Sequence, residues 1–147
     1  MNIELQFKKS NLKSEPTIEI HFGDTVIKTQ IKSLEHKLIM HDLKHDTDNE
    51  LVVMRREDYL YNTQKTHHEN KVIVEKVIVD DFWEFGPDWY TPESVLDSRY
   101  LRHIEGIEGS EWIKNTLNHN THLFFNGKLI WKIKYPVRRC FFKDVRR

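Results

Sequence analysis

A short acidic run, Asp46–Glu50, carries the side chains of this sequence that are best suited to bind a hard cation. Asp46, Asp48 and Glu50 alternate along it, and carboxylate oxygens are ligands that calcium prefers. The run begins like a calcium-binding loop, but Glu50 stands where such a loop has its turn glycine, and no bidentate glutamate follows at the required distance. The alternative is a solvated turn between two strands. A calcium ion at these three carboxylates, with the Asp80–Asp81 pair as further ligands, is therefore a hypothesis.

A dense aromatic cluster forms the second candidate site. Five aromatic residues fall between positions 82 and 90, interspersed with acidic residues. Aromatic rings in loops either close a hydrophobic core or stay exposed as platforms for sugar rings and anchors for protein partners. The spacing within Phe82–Phe85 favours a core position for part of the cluster, whereas Trp89 and Tyr90 follow a Gly-Pro pair and are expected near the surface. Trp83, Trp89 and Tyr90 are the candidate contact residues, for a glycan or for a partner protein.

Motifs of the common enzyme classes do not occur in the sequence. The five glycines form neither a dinucleotide-binding nor a P-loop pattern, and no Gly-x-Ser-x-Gly nucleophile motif is present. The histidine pair His41 and His45 has a metal-ligand spacing, but no cysteine accompanies it, so solvated histidines are favoured over a zinc site. Cys140, the only cysteine, lies in an apolar run and is predicted to pack as a small hydrophobe. We therefore predict that the chain is not an enzyme.

The charges balance overall but are unevenly distributed. Twenty-three Lys and Arg residues oppose 23 Asp and Glu residues, and a neutral chain is a poor candidate for non-specific nucleic-acid binding. Nine acidic residues lie within positions 80–111, while the tail of residues 137–147 is basic and begins with Arg138 and Arg139. Such asymmetry suits docking to a complementary neighbour or a second copy, although it also serves solubility. Arg138 and Arg139 are thus candidate partner-binding residues.

The composition also bears on the cellular compartment. No stretch approaches the roughly 18 apolar residues of a membrane helix, and no secretory leader is visible, so we expect no membrane partner. A single cysteine cannot form an intrachain disulfide, which suits a reducing compartment or a protein assembled in one.

The dominant hydrophobic period is two, which is the period of a strand with one buried face. It is clear in Ile3–Phe7, in Ile18–Phe22 and in Leu129–Tyr135, where Trp131 is expected in the core. The β-branched run Val72–Val79 predicts a central strand that is covered on both faces, with a bulge at its Glu-Lys pair. About eight short strands predict one all-β domain over residues 1–147, an antiparallel β-sandwich of jelly-roll type, with one or two short helices in the 86–118 region.

Three local signals refine this prediction. Asn126-Gly127 lies between two strand-like runs and predicts a two-residue hairpin turn, since both central positions of that turn need positive φ. Thr91-Pro92-Glu93 is typical of a helix start, with the threonine as cap and the proline at the first helical position. Residues 55–70 are polar and are expected to form a loop.

Several ordered short patterns resemble a known group of proteins. They are His21–Thr25 leading into a strand, Asp48–Leu51 at the end of the acidic loop, the β-branched run closing at Asp80-Asp81, and Leu123–Pro136 at the end. Together they resemble small β-sandwich virion proteins of large tailed bacteriophages, which are similar in fold to calcium-dependent carbohydrate-binding modules. The tail after the final proline departs from that pattern, because it is basic here and not aromatic and apolar.

The resemblance implies a non-enzymatic component of a virion, in the tail, baseplate or fibre region, assembled in the host cytoplasm. Its partners would be other virion proteins, and it would form an oligomer or dock through an edge strand. The alternative function is a carbohydrate-binding module that recognises a host-surface glycan through its loop aromatics, with calcium as a possible cofactor.

Overall fold

The computed structural model of the chain describes residues 1–10, 15–55, 71–85, 92–96, 121–123 and 126–141. These residues form ten strands and one short 3-10 helix, Val137–Cys140. The strands are β1 (Ile3–Lys9), β2 (Thr17–Phe22), β3 (Thr25–Gln30), β4 (Glu35–Met40), β5 (Asn49–Arg55), β6 (Val72–Val79), β7 (Trp83–Phe85), β8 (Glu93–Leu96), β9 (His122–Leu123) and β10 (Gly127–Ile133). The described chain is all-β, as the sequence predicts.

The strands form two antiparallel sheets. Sheet I has the order β4-β1-β6-β7, and the short β9 also pairs with β6. Sheet II has the order β3-β2-β5-β10-β8. The chain crosses repeatedly from one sheet to the other, so most neighbours within a sheet are distant in sequence. The predicted β-sandwich is confirmed.

One hydrophobic core lies between the sheets, and the period of two accounts for it. In β1, Ile3, Leu5 and Phe7 are buried and alternate with half-exposed polar residues, and β2 and β10 follow the same rule. Trp131 of β10 is only 2% exposed and belongs to this core, as predicted. At roughly 25 cal/mol for each Å² of apolar surface removed from water, burial of these side chains is the main force that holds the two sheets together.

The bulge predicted in the β-branched strand is present in β6. Gln6 of β1 pairs with Lys76, but the next residue, Phe7, pairs with Val74, so Glu75 has no partner position in the ladder. The extra residue keeps valines facing the core on both sides of the bulge, with Val74 and Val77 both buried. The prediction of a strand covered on both faces holds only in part, because the outward side chains of β6 are half-exposed.

The predicted Asn126-Gly127 hairpin is wrong. β9 and β10 do not pair with each other, since β9 pairs with β6 in sheet I and β10 lies in sheet II between β5 and β8. Gly127 is a ladder residue that faces Arg55 and Leu96, and it does not adopt a positive φ. The local turn preference is outweighed by strand pairing on both sides of Gly127. A two-residue turn does occur at Gly23-Asp24, where Phe22 faces Thr25 and Gly23 has φ +57°.

Two other local predictions need correction. The helix start at Thr91-Pro92-Glu93 is wrong for the described part, because Glu93–Leu96 forms β8 against the free edge of β10. Strand pairing outweighs the local capping signal there. Arg55, assigned to a polar loop, is the last residue of β5 and is fully buried. The remainder of the predicted helical region, and most of residues 55–70, lie outside the described residues.

Within the described ranges, no helix is long and apolar enough to cross a membrane.

Candidate functional site

A cleft of about 400 Å³ opens at one end of the sandwich. It lies where β1 begins and where β6 and β10 end, so that loops from both sheets contribute to its walls. Its lining combines aromatic, apolar and charged side chains: Met1, His45, Asp80, Trp83, Tyr135, Pro136, Val137 and Arg138. We call this cavity the aromatic cleft. Two of its residues, Trp83 and Arg138, are among those singled out from the sequence.

Trp83 is held in place by a stack of aromatic rings. It begins β7 and pairs with Val79 of β6, and its indole stacks on Phe141 at a centroid distance of 4.9 Å and an interplanar angle of 24°. Phe141 stacks in turn on the buried Phe85, at 5.1 Å and 16°. Trp83 is half-buried as a result. Phe82 also packs edge-on with Trp83, at a centroid distance of 4.9 Å and an interplanar angle of 88°. Aromatic rings fixed in this way lose little conformational freedom on binding.

Tyr135 forms the opposite aromatic element of the cleft. It follows β10 after one intervening residue, Lys134, and it is 48% exposed. His45 packs edge-on against the Tyr135 ring at 5.4 Å and 86°, and on its other side lies 6.0 Å from Phe22 of the core. The imidazole therefore connects an exposed ring to the hydrophobic core.

The backbone at Tyr135 is fixed by a carboxylate and a guanidinium group. The Tyr135 amide donates to Oδ1 of Asp48 at 2.9 Å, and Nη1 of Arg139 donates to the Tyr135 carbonyl at 3.0 Å. Arg139 and Asp48 also contact each other at 3.3 Å. These three contacts join the loop before β5 to the segment after β10. We call this arrangement the Asp48–Arg139 clamp.

Asp80 supplies the acidic group of the cleft. It ends the β6 strand with φ +52°, a left-handed conformation that aspartate tolerates better than most residues. Its carboxylate accepts a hydrogen bond from the Asn2 amide at 2.8 Å, and its own amide donates to the Asn2 carbonyl at 2.9 Å. The carboxylate position is thus set by backbone contacts, and its remaining lone pairs can accept hydrogen bonds from a ligand.

Arg138 supplies the basic group. It lies in the short 3-10 helix after Pro136 and its side chain is exposed. Across the described residues, no carboxylate pairs with its guanidinium group. Arg139, its neighbour, differs because its guanidinium group belongs to the clamp. The sequence predicts the same partner-binding role for both arginines, whereas in the structure only Arg139 is engaged in the clamp.

The three proposed calcium ligands do not converge. Asp48 is engaged by Arg139 and the Tyr135 amide, and Asp46 lies 3.7 Å from Lys44 on the surface. Glu50 belongs to β5 and faces Lys132 of β10 in the ladder. Over the part of the chain that the structure describes, no group of three or more His, Cys, Asp or Glu side chains could hold a metal ion. In this arrangement the donor set does not fit calcium.

A second groove lies beside these residues. It has a volume of about 430 Å³ and is lined by Asp48, Asn49, Glu50, Lys132 and Lys134. Its side chains are polar and charged, with no aromatic ring among them, so it offers no platform for an apolar ligand face.

Trp89 and Tyr90, the other two predicted contact residues, lie outside the described residues. Sequence reasoning missed Tyr135 as a site residue because it continues the alternation of β10 and was counted with that strand. The signal that could have found it is Pro136, which ends the pairing and turns the preceding side chain out of the ladder.

Comparison with solved structures gives a neighbour for this fold. The chain is similar to a calcium-dependent carbohydrate-binding module, one of two such families linked by circular permutation, with a TM-score of 0.52 and 12% sequence identity over 89% of each chain. The two chains share a β-sandwich fold. No family model matches this sequence, and no curated protein matches it.

At this low identity the similarity concerns the fold alone. The similarity in fold to calcium-dependent carbohydrate-binding modules, which the sequence resemblance implies, is confirmed. No comparison bears on the virion role, which stays a prediction.

Proposed function

We propose that the chain is a glycan-binding domain and that the aromatic cleft is its binding site. The observation that carries this proposal is the composition of the cleft, in which two aromatic side chains, the half-buried Trp83 and the exposed Tyr135, lie in one cavity with acidic, basic and imidazole groups. The similarity in fold to a carbohydrate-binding module supports it.

Sugars present two kinds of surface, and the cleft offers a partner for each. The axial C–H groups of a pyranose ring form a flat apolar face that packs on an aromatic ring, as Trp83 and Tyr135 permit. The hydroxyl groups at the ring edge need donors and acceptors, which Asp80, His45 and Arg138 provide. The volume of about 400 Å³ falls in the range of roughly 300–1,000 Å³ that is usual for small-ligand sites.

Titration calorimetry with glycans selected on an array tests the proposal. We expect Tyr135→Ala and Trp83→Ala each to weaken binding about tenfold, which corresponds to about 1.4 kcal/mol. Leu34→Ala is the matched control, because Leu34 is 48% exposed and its carbonyl accepts a bond from the Lys9 amide at the far end of β1, away from the cleft. Tyr135→Ala is the more informative variant, since Trp83 also supports the Phe141 stack. An array without any bound glycan would reject the proposal.

Calcium dependence is tested in the same titrations, with calcium in excess and with a chelator. The calcium hypothesis for Asp46, Asp48 and Glu50 requires the ion to displace Arg139 from Asp48, because the two are in contact. If the hypothesis is correct, Asp48→Asn abolishes the difference between calcium and chelator. Binding that is equal in both conditions would remove calcium from the function.

Protein docking is the second candidate function, and apolar side chains at the sheet edges favour it. Val26 on the edge strand β3 is 50% exposed, and Leu34 and Ile39, beside and on the edge strand β4, are 48% and 46% exposed. Sheet edges with apolar side chains can recruit a partner strand. The corresponding role is the structural or adaptor protein of a tailed-phage virion.

Mass spectrometry of gradient-banded particles from the source of the protein tests the virion role. A fixed copy ratio in washed particles would support it and would locate the protein in a virion. Absence from the particles would leave glycan binding as the single candidate of the two.

A further inference from the structure

We propose that the aromatic cleft selects an acidic saccharide, namely a glycan that carries uronic-acid carboxylates, and that Arg138 is the residue that selects it. This inference rests on the proposed function and names the class of ligand. It depends on the charges that face the cleft and on which of them already have partners within the protein.

Arg138 supplies the guanidinium group that the cleft leaves available. Its neighbour Arg139 uses its guanidinium group on Asp48 and on the Tyr135 carbonyl, at 3.3 Å and 3.0 Å. The α-ammonium group of Met1, also at the cleft, donates one hydrogen bond to the Leu43 carbonyl at 3.0 Å, and it lacks the planar pair of donors that a guanidinium group offers to a carboxylate. The Arg138 side chain is exposed and meets no carboxylate among the described residues. A guanidinium group in this position can bind a carboxylate through two parallel N–H···O bonds.

Asp80 determines how such a ligand is oriented. Its carboxylate is fixed by the Asn2 amide and accepts but does not donate hydrogen bonds, so it suits sugar hydroxyls and repels a ligand carboxylate. The ligand carboxylate therefore points to Arg138 and its hydroxyls point to Asp80, while the ring packs on Trp83 or Tyr135. A uronic-acid residue carries all three features, a flat C–H face, hydroxyls and one carboxylate, on a single ring.

The experiment compares an oligouronate with its carboxyl-reduced counterpart of the same length and linkage. We expect the wild-type chain to bind the oligouronate about tenfold more tightly than the neutral form, as charge-assisted hydrogen bonds are among the stronger polar contacts. Arg138→Gln should remove this preference: binding of the oligouronate should fall to the level of the neutral form, and binding of the neutral form should change less than about threefold, because the glutamine amide still offers a donor to a sugar hydroxyl. Arg138→Lys should keep part of it, because lysine retains the charge and loses the planar pair of donors.

Lys32→Gln is the matched control for net charge. Lys32 lies in the connection after Ile31, whose carbonyl accepts a bond from Lys9 at the far end of β1, so it is distant from the cleft. The Lys32→Gln substitution removes one positive charge, as Arg138→Gln does, and it should leave the preference for the oligouronate intact.

Three outcomes would overturn the inference: equal binding of the two oligosaccharides, a preference that survives Arg138→Gln, or a sulfated glycan without uronic acid that binds as tightly as the oligouronate. Each of these leaves glycan binding itself in place. If no glycan binds, neutral or acidic, the proposed function is rejected together with this inference.

Discussion

Arg55 is a charged residue that the core accommodates. It is fully buried at the end of β5, and its Nη1 atom donates to the Leu123 carbonyl of β9 at 2.8 Å. β5 belongs to sheet II and β9 to sheet I, so this side chain links the two sheets through the interior. Burial of a guanidinium group is costly, and it is tolerated where the donors are satisfied by fixed acceptors.

Replacement of Arg55 by methionine should destabilise the protein by about 3 kcal/mol, because the buried groups that accept its hydrogen bonds lose their donor. Urea unfolding followed by circular dichroism measures the change. Arg55→Lys should have a smaller effect, since it keeps the charge. The surface variant Arg139→Met serves as control and should cost less than about 1 kcal/mol. A variant Arg55→Met as stable as wild type would show that the cost of burying the charge equals what its hydrogen bonds contribute.

Arg138 and Arg139 show how little a residue type reveals without its contacts. Both are arginines at the start of a basic tail, and the sequence predicts one role for both. The structure commits Arg139 to the Asp48–Arg139 clamp and leaves Arg138 facing the cleft. The difference arises from the 3-10 helix, in which successive side chains point in different directions.

At the scale of the element, β6 owes its shape to one extra residue. Glu75 has no opposite position in the β1 ladder, and its carboxylate accepts a hydrogen bond from Lys8 at 2.9 Å. That contact raises the pKa of Lys8 above its usual range. The valines on both sides of the bulge stay in the core because two consecutive residues, Glu75 and Lys76, face outward.

Deletion of Glu75 should therefore be tolerated, at a cost of about 1 kcal/mol, as it restores an unbroken alternation in which every valine of β6 keeps its inward position. Deletion of Ile78 is the matched control. It brings Val77 and Val79 next to each other, turns one of them outward, and should cost at least roughly 2 kcal/mol of lost burial. Urea unfolding of both variants measures the difference. Equal damage from the two deletions would mean that the bend produced by the bulge, and not the register alone, is required.

At the scale of the whole molecule, residues of both sheets contribute to one core. Val53 of sheet II and Val77 of sheet I belong to the same cluster of buried side chains, and both are at most 1% exposed. Because each sheet covers the apolar face of the other, neither sheet can unfold without exposing the apolar face of its partner to water.

The protein should consequently unfold in one cooperative transition. Tryptophan fluorescence and far-ultraviolet circular dichroism should give coincident curves. Val53→Ala and Val77→Ala should each lower the free energy of unfolding by about 2 kcal/mol and shift both curves together. Separate transitions, or a shift seen by one method alone, would indicate that the chain contains more than one folding unit.

The fold was largely predictable from the sequence, and the site only in part. Alternation in β1, β2 and β10 identifies strands and their buried faces, because the side-chain period of a strand depends on the local backbone alone. The sequence indicates Trp83 and Arg138 as candidate contact residues, and both line the cleft. Tyr135, His45 and Asp80 could not be joined to them, because they come from different loops and only the crossing of the chain between sheets places them in one cleft.

By itself, the sequence determined the class of the fold, the core faces of its strands and the position of the bulge in β6, all of which follow from local periodicity. Only the tertiary structure decided that Asn126-Gly127 forms no hairpin and that Arg55 is a core residue. It also separated the role of Asp48 in a clamp from the role of Arg138 at the cleft. These features depend on which strands become neighbours, and the free energy of pairing and burial across the two sheets outweighs the local preference of a turn, a cap or a single charge.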